Sequence, residues 1–150
     1  MLPMTAIAPA QPTLRHILLV EDNPGHALLV SEALHDHPCV RLHTVQNVMH
    51  AIHFMTKKQG YWDAPTPDLI ILDLHLPLFS GQALLEERRR RHFCPVVPVV
   101  VVTGSAGERV DCLLLGATDF HIKPMEWSQW QALVEQIVAQ HLGVDLGQTH

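Results

Sequence analysis

Three short, predominantly apolar runs, at positions 16–20, 69–72 and 98–103, stand out in the pattern along the chain. Each run is rich in leucine, isoleucine or valine and is followed by polar or turn-forming residues. Such runs are typical of strands that are buried on both faces, as the strands of parallel sheets are. We therefore expect a parallel sheet at the centre of the protein.

Two further strands and five helices follow from the rest of the pattern. Residues 40–45 alternate between apolar and polar, as a strand nearer a sheet edge does, and residues 118–122 form a brief fifth strand. Helices are predicted at residues 27–34, 48–58, 82–92 and 127–141, and in a short segment that ends at residue 115. Strands that alternate with helices in this way predict a doubly wound parallel α/β fold, because the crossovers are right-handed.

Two of the predicted helices carry patterns that invite a functional interpretation. Two acids precede the basic run at residues 88–91 at i,i+4 spacing, in the predicted pairs Glu86–Arg90 and Glu87–Arg91, so a solvated helix face is favoured over a nucleic-acid site. The last helix has an apolar stripe, which we assign to core packing: Trp127, Trp130, Val134, Ile137 and Val138. An exposed tryptophan on that helix is the alternative, and it would suit a dimer interface.

Composition narrows the class of protein. The chain has 150 residues, 47% of them hydrophobic, which fits one domain with a well-filled core. The formal net charge of -5 argues against a nucleic-acid partner. The three widely spaced cysteines form no CxxC pair, which favours a reducing cytoplasm over a disulfide framework. Twelve histidines are many, but the pairs at 35/37 and 50/53 lack further ligands at zinc spacing.

The ends of the chain are predicted to lie outside the domain. Residues 1–13 contain three prolines and lack a basic start, so we interpret them as a loose leader or arm rather than a signal peptide. The domain is predicted to span residues 14–142, with residues 143–150 as a tail. No run is long enough for a transmembrane helix, so we expect no membrane partner.

Polar side chains with complementary chemistry follow the predicted strands. Glu21 and Asp22 close the first strand and Asp73 the third, while Thr103 ends the fourth and Lys123 follows the fifth. The carboxyl ends of parallel strands meet at one edge of the sheet, where close carboxylates repel by roughly 4 kcal/mol per pair at an effective dielectric near 20. Mg²⁺ would relieve that repulsion. With the lysine and the hydroxyl beside it, the cluster suggests a phosphoryl group carried on Asp73.

These residues stand in a familiar order. Glu21-Asp22-Asn23-Pro24, Asp73 with Leu76-Pro77 and Gly81, Val102-Thr103, and the stretch from Gly116 to Lys123-Pro124 together resemble the receiver domain of two-component response regulators. The resemblance covers roughly residues 14–142. It implies a flavodoxin-like sheet with strand order 2-1-3-4-5, and a signalling protein rather than an enzyme.

The resemblance also implies a role for each matching position. Asp73 would accept a phosphoryl group from a phosphohistidine on a sensor histidine kinase. Glu21, Asp22 and Asp73 would hold Mg²⁺ together with the backbone carbonyl of His75. Lys123 would pair with the phosphoryl oxygens.

A second set of implied roles concerns the signal. Thr103 would move to hydrogen-bond the phosphoryl group, and Phe120 would then swing inward as the aromatic switch.

The chain ends soon afterwards, at His150, so we expect no output domain and a protein contact as the output. The surface expected to change comprises residues 108–115, the strand near Phe120 and the last helix. The same surface, with Trp127 and Trp130 nearby, is a candidate for a homodimer interface.

The loop at residues 60–68 resembles the version found in single-domain regulators that partner phytochrome-type kinases. Five positions depart from the common family pattern: Ser80, His75, Ser105, Gly25 and His26, the last two with no evident consequence. Two other functions stay open at this point, namely a degenerate receiver and a Mg²⁺-dependent phosphatase with an aspartyl nucleophile. The phosphatase usually has a second aspartate two residues after the first, where His75 stands. A flavodoxin-like electron carrier is disfavoured because Glu21-Asp22 would repel a flavin phosphate.

Overall fold

Five parallel strands form one sheet at the centre of the computed structural model, which describes residues 13–146. The strands are β1 (Arg15–Val20), β2 (Val40–Val45), β3 (Leu69–Leu72), β4 (Val99–Thr103) and β5 (Asp119–Ile122). Their order across the sheet is β2-β1-β3-β4-β5, and every neighbouring pair is parallel. The predicted doubly wound fold and its strand order are therefore confirmed.

The five predicted helices are all present, with ends that differ by a few residues. They are α1 (Pro24–Leu34), α2 (Val48–Thr56), α3 (Gly81–Arg91), α4 (Arg109–Leu114) and α5 (Trp127–Leu142). A 3₁₀ turn, Ala106–Glu108, precedes α4. The predicted end of α2 at residue 58 was wrong, because Lys57 adopts a left-handed φ of 58° and its N–H bonds back to the carbonyls of His53 and Phe54.

The sheet separates two layers of helices, and the period-two alternation of the strands sorts the core between them. On one face, Leu18 and Ile70 pack with the apolar sides of α2 and α3. On the other face, Ile17 and Ile71 pack with α1 and α5. Because β3 is covered on both sides, all four of its residues are buried. The residue that follows it is therefore held by a rigid element.

Two details of the helix surfaces differ from prediction. Trp130 on α5 is buried in the hydrophobic core, as expected. Trp127 is 58% exposed, because it is the first residue of α5 and the buried stripe begins one turn later. Arg90 pairs with Glu87 rather than with Glu86, and its guanidinium lies 2.7 Å from the Glu87 carboxylate. Arg91 lies 3.8 Å from the same Glu87 carboxylate, which agrees with the predicted pair.

Most of the predicted leader and half of the predicted tail, residues 1–12 and 147–150, lie outside the described residues. The domain limits at 14 and 142 therefore stay predictions. Between residues 13 and 146, no helix combines the length and the hydrophobicity that crossing a bilayer requires.

Candidate functional site

Three carboxylates lie together at the carboxyl edge of the sheet. Asp73 directly follows β3 and Glu21 directly follows β1, and their side chains are only 5% and 4% exposed. Backbone hydrogen bonds hold both positions, since Asp73 N–H donates to the Val20 carbonyl and Glu21 N–H to the Val45 carbonyl, each at 3.0 Å. Asp22 is exposed beside them, and one oxygen from each of the three acids lies within 4.8 Å of the others.

The loop after Asp73 is packed closely against the start of α3. Gly81 N–H donates to the Leu74 carbonyl at 2.9 Å. A Cβ atom on Gly81 would lie 2.5 Å from the Asp73 carbonyl oxygen and 2.9 Å from the Leu74 Cα. Only glycine permits this approach, so the glycine of the motif fixes the backbone that presents Asp73.

Lys123 provides the positive charge of the site. Its backbone N–H donates to the Thr103 carbonyl at 2.7 Å, which continues the pairing of β5 with β4. Its Nζ lies 2.8 Å from Glu21 Oε1 and 3.1 Å from Asp73 Oδ2. The pKa of Glu21 is raised, chiefly by burial and also by the charge of Asp73, although Lys123 acts in the opposite direction. The lysine therefore compensates the buried acids only in part.

The donor set fits a hard divalent cation. When all four groups are ionised, the three carboxylates and Lys123 carry two net negative charges, which one divalent ion neutralises. Carboxylate oxygens that converge from separate elements are the ligands that Mg²⁺ takes, usually with retained waters. His75 has an exposed side chain, and its N–H donates to Asp73 Oδ1 at 3.3 Å. Its predicted carbonyl ligand stays a prediction.

Thr103 ends β4, the strand next to β3, and Phe120 lies on β5, the strand beyond it. Thr103 is fully buried, and its Oγ1 has no hydrogen-bond partner. A buried hydroxyl without a partner is costly, and it would be satisfied by an acceptor bound at Asp73. Phe120 is 3% exposed and packs in the α2/α3 face of the core. The guanidinium of Arg109 lies over its ring, 5.9 Å from the centroid, a contact that the sequence did not reveal.

His26 joins the site, although its sequence position had suggested no role. Its Nδ1 lies 2.9 Å from Lys123 Nζ and 3.7 Å from Glu21 Oε1, and its ring stacks on Trp130 with centroids 5.4 Å apart. The pKa of His26 is lowered, first by burial and next by the charge of Lys123, which favours the neutral imidazole. Because an ammonium can only donate, the imidazole nitrogen is the acceptor in this contact. The sequence could have indicated this role, because His26 lies in the first turn of the helix that follows Glu21 and Asp22.

The model of the response regulator receiver domain family matches residues 17–135 of this sequence. The chain belongs to that family. The receiver-domain resemblance and the fold that it implied are therefore confirmed.

Similar proteins include regulators named for phytochromes. Response regulator Rcp1 of Synechocystis sp. is 36% identical over 96 residues, an alignment that covers 61% of this chain and 63% of Rcp1. The chain thus spans less than two thirds of the length of the first curated relatives that it matches. The crystal structure of Mn²⁺-bound Rcp1 superposes with a TM-score of 0.76 at 27% identity, over 91% of this chain and 97% of that one.

Two further solved structures agree with this receiver domain in fold and length. The phosphorylated cyanobacterial phytochrome response regulator RcpA has a TM-score of 0.81 at 30% identity, with 87% of this chain and 95% of that chain covered. The bacteriophytochrome response regulator AtBRR has a TM-score of 0.70 at 31% identity, with 89% and 95% covered. Each of these similarities extends over most of the sheet and helices described above.

Proposed function

We propose that this receiver domain accepts a phosphoryl group on Asp73 from a sensor histidine kinase and signals through a changed protein-binding surface. One arrangement supports the proposal above all: Asp73 is buried, 3.1 Å from the only charge-compensating lysine in contact with it among residues 13–146, and beside two further acids. Carboxylates buried together at the carboxyl edge of the sheet lower stability, and such costly groups are typical of functional sites. Phosphorylation of Asp73 would convert one of them into an acyl phosphate.

The chemical step is a displacement at phosphorus. An Asp73 carboxylate oxygen attacks the phosphorus, forming a P–O bond as the P–N bond to the donor imidazole breaks and its electron pair returns to that nitrogen. Lys123 Nζ, already 3.1 Å from Asp73 Oδ2, is placed to donate to the phosphoryl oxygens as charge develops there. Thr103 Oγ1, which has no partner before the reaction, gains one afterwards.

Glu21, Asp22 and Asp73, with the carbonyl of His75, are the residues that would hold Mg²⁺. The bound ion would neutralise the carboxylates and screen the charge of the incoming phosphoryl group. The structure of Mn²⁺-bound Rcp1 supports a divalent ion as the cofactor.

The signal is proposed to pass from Thr103 to Phe120. Movement of the Thr103 hydroxyl towards Asp73 would alter the packing around Phe120, whose carbonyl accepts from Arg109 at 3.4 Å. Since Arg109 begins α4, this change reaches the surface formed by α4, β5 and α5.

That surface is also the proposed homodimer interface. Large apolar side chains are exposed there, namely Val110, Leu114, Ile122, Met125 and Trp127. Trp130, at first expected to contribute, is buried and does not. The interface is therefore inferred from α4, β5 and the first residue of α5.

A phytochrome-type histidine kinase is the proposed partner. The loop at residues 60–68 is folded against α2, with the Tyr61 ring 5.6 Å from that of Phe54 and its hydroxyl 2.9 Å from His50 Nδ1. The similarity to RcpA and AtBRR, both named for phytochromes, supports this choice. Such a partner would place the protein in the cytoplasm. Faster phosphotransfer from a purified bacteriophytochrome kinase than from an unrelated histidine kinase is the expected result, and equal rates would contradict the assignment.

The core of the proposal is tested by incubation with acetyl phosphate and Mg²⁺. We expect one phosphoryl group per chain, lost in alkali, and no labelling of Asp73→Asn. Asp68→Asn is the matched control, because Asp68 bounds the same strand at its other end, where it accepts from the His16 N–H at 2.7 Å. Labelling should survive in that variant.

The same experiment separates the other functions. Repeated turnover of many phosphate esters would favour an aspartyl-nucleophile phosphatase. A wild-type protein that takes no label would be a degenerate receiver, and label that persists in Asp73→Asn would place the acceptor elsewhere.

A further inference from the structure

We propose that His26 is a positioning residue that holds the Lys123 ammonium in place beside Asp73 while the carboxylates change partners. The inference rests on the proposed function and adds a residue that the family motifs do not include. Its geometric basis is the 2.9 Å contact between His26 Nδ1 and Lys123 Nζ.

A lysine ammonium has three hydrogen-bond donors. Three acceptors surround Lys123 Nζ within residues 13–146: Glu21 Oε1 at 2.8 Å, Asp73 Oδ2 at 3.1 Å and His26 Nδ1 at 2.9 Å. The proposed reaction diverts two of them, because Glu21 turns to the metal ion and Asp73 becomes an acyl phosphate. The imidazole is the acceptor that neither event consumes.

Trp130 holds His26 and Lys123 from the opposite side. The His26 ring lies nearly parallel to the indole, at 29°, with centroids 5.4 Å apart. The indole N–H donates to the carbonyl of Pro124 at 3.1 Å, and Pro124 directly follows Lys123. The lysine is thus fixed at its ammonium by His26 on α1 and at its backbone by Trp130 on α5.

This closed set of contacts explains why an imidazole stands at position 26. A carboxylate there would bring a further negative charge to within about 4 Å of Glu21 Oε1, which lies 3.7 Å from His26 Nδ1. An aliphatic side chain would leave one donor of a largely buried lysine, whose side chain is 13% exposed, without a protein partner. A neutral ring supplies the acceptor without adding charge.

Substitutions can separate the two properties of His26, namely the ring that stacks on Trp130 and the nitrogen that accepts from Lys123. His26→Phe keeps a flat ring for stacking on Trp130 but removes the acceptor, whereas His26→Asn removes the ring and keeps an acceptor near the position of Nδ1. His50→Phe is the control, since His50 on α2 likewise uses its Nδ1 in one side-chain contact, with Tyr61, away from the carboxylates.

The first measurement needs neither metal nor phosphate. In a long-range ¹H–¹⁵N spectrum of the metal-free protein, the His26 nitrogens are identified by their loss in His26→Phe. We expect Nδ1 to be unprotonated and hydrogen-bonded, and to shift when Lys123→Met removes the donor. An Nδ1 resonance that is unchanged by Lys123→Met would overturn the proposal.

The second measurement is the initial rate of phosphorylation by acetyl phosphate and Mg²⁺. His26→Phe should react about tenfold more slowly than wild type, as expected for the loss of one hydrogen bond to a charged donor. His26→Asn should recover to within about threefold, and His50→Phe should match wild type. A His26→Phe rate equal to wild type, or an equal loss in His26→Asn, would contradict a positioning role. If wild type takes no label, the proposed function fails, while the nitrogen spectrum still decides whether His26 holds Lys123.

Discussion

At the amino edge of the sheet, charged side chains are paired mainly with the backbone, whereas at the carboxyl edge they are paired with one another. Asp68 accepts from the His16 N–H, and Arg88 donates to the carbonyls of Cys94, Pro95 and Val97. Across the sheet, Glu21 and Asp73 instead share the single ammonium of Lys123. Backbone partners are fixed once the chain folds, while side-chain partners can be exchanged for a ligand. The contacts at the amino edge thus serve stability, whereas those at the carboxyl edge leave groups available for chemistry.

The largest effect is expected from Gly81→Ala, which would break the carboxyl edge. The new methyl group would meet the Asp73 carbonyl oxygen at 2.5 Å, so the strand or the helix must shift. We expect a loss of about 3 kcal/mol in the free energy of unfolding, the upper range for overpacking, measured by urea denaturation. Phosphorylation should slow as well, because Asp73 moves with its backbone.

Gly107→Ala is the control for this change. Its added Cβ would lie 3.6 Å from the Ser105 Oγ, an ordinary contact. Equal stabilities of the Gly81→Ala and Gly107→Ala proteins would show that the close approach behind Asp73 is not needed.

Arg88→Met tests the amino edge, with an expected loss of about 2 kcal/mol. The substitution leaves three carbonyls of the loop before β4 without their shared donor. Because this edge is remote from Asp73, the phosphorylation rate per folded molecule should not change. Arg91→Met, on the same helix, loses a surface pair with Glu87 at 3.8 Å and a contact with the Phe93 ring at 5.4 Å, so it should cost less than Arg88→Met. A slower phosphorylation of Arg88→Met would contradict the separation of the two edges.

The sequence predicted one edge better than the other. Asp73 and Thr103 could be assigned because they stand at the ends of runs whose burial is evident from consecutive apolar residues, and Lys123 because it belongs to the stretch from Gly116 to Pro124 that matches the family. The structural role of Arg88 could not, since the run at residues 88–91 gives four arginines the same pattern and only the fold shows which one faces the loop carbonyls.

The contacts of His26 and Trp127 show a second limit. His26 meets Lys123 across 97 positions of sequence, and the contact depends on the rotation of α1 about its axis. Trp127 fitted an apolar stripe, but it stands before the first buried turn of α5, so periodicity alone assigned it wrongly to the core. Local pattern predicts which residues are buried in strands; it does not predict pairings between separate helices.

The dependence of stability on pH distinguishes His43, in the middle of β2, from Glu21 at the carboxyl edge, because the two groups titrate with opposite sign. The pKa of His43 is lowered by burial first, then by His16, 2.9 Å away, and by Arg41. Below the ordinary pKa of 6.5 the unfolded chain takes up a proton that the folded protein resists, so stability falls as pH drops from 6.5 towards the lowered value. The slope should stay below about 1.4 kcal/mol per pH unit, the limit for one proton.

His43→Phe should reduce that slope in urea titrations at several pH values and leave the part that His26, whose pKa is also lowered, contributes with the same sign. His35→Phe, an exposed control, should leave the slope unchanged. Glu21 acts in the other direction. Its pKa is raised above 4.5, so its contribution is fully present below pH 4.5 and is lost as pH rises through the raised value. A slope as steep in His43→Phe as in wild type would assign the titration to other groups.

The smallest effect is expected at Leu78, in the loop that joins Asp73 to α3. Leu78 has a φ of 69° and is 89% exposed, so its side chain gains little from packing while its backbone lies in the left-handed region. Leu78→Gly should raise the free energy of unfolding by about 0.5 to 1 kcal/mol, because glycine adopts this conformation without the clash of Cβ. Leu78→Ala is the matched control, since it shortens the side chain but keeps Cβ, and it should show no such gain. Equal stabilities of the two variants would mean that the left-handed backbone at Leu78 does not lower the free energy of unfolding. The buried carboxylates would then be the remaining source of energetic cost at this edge.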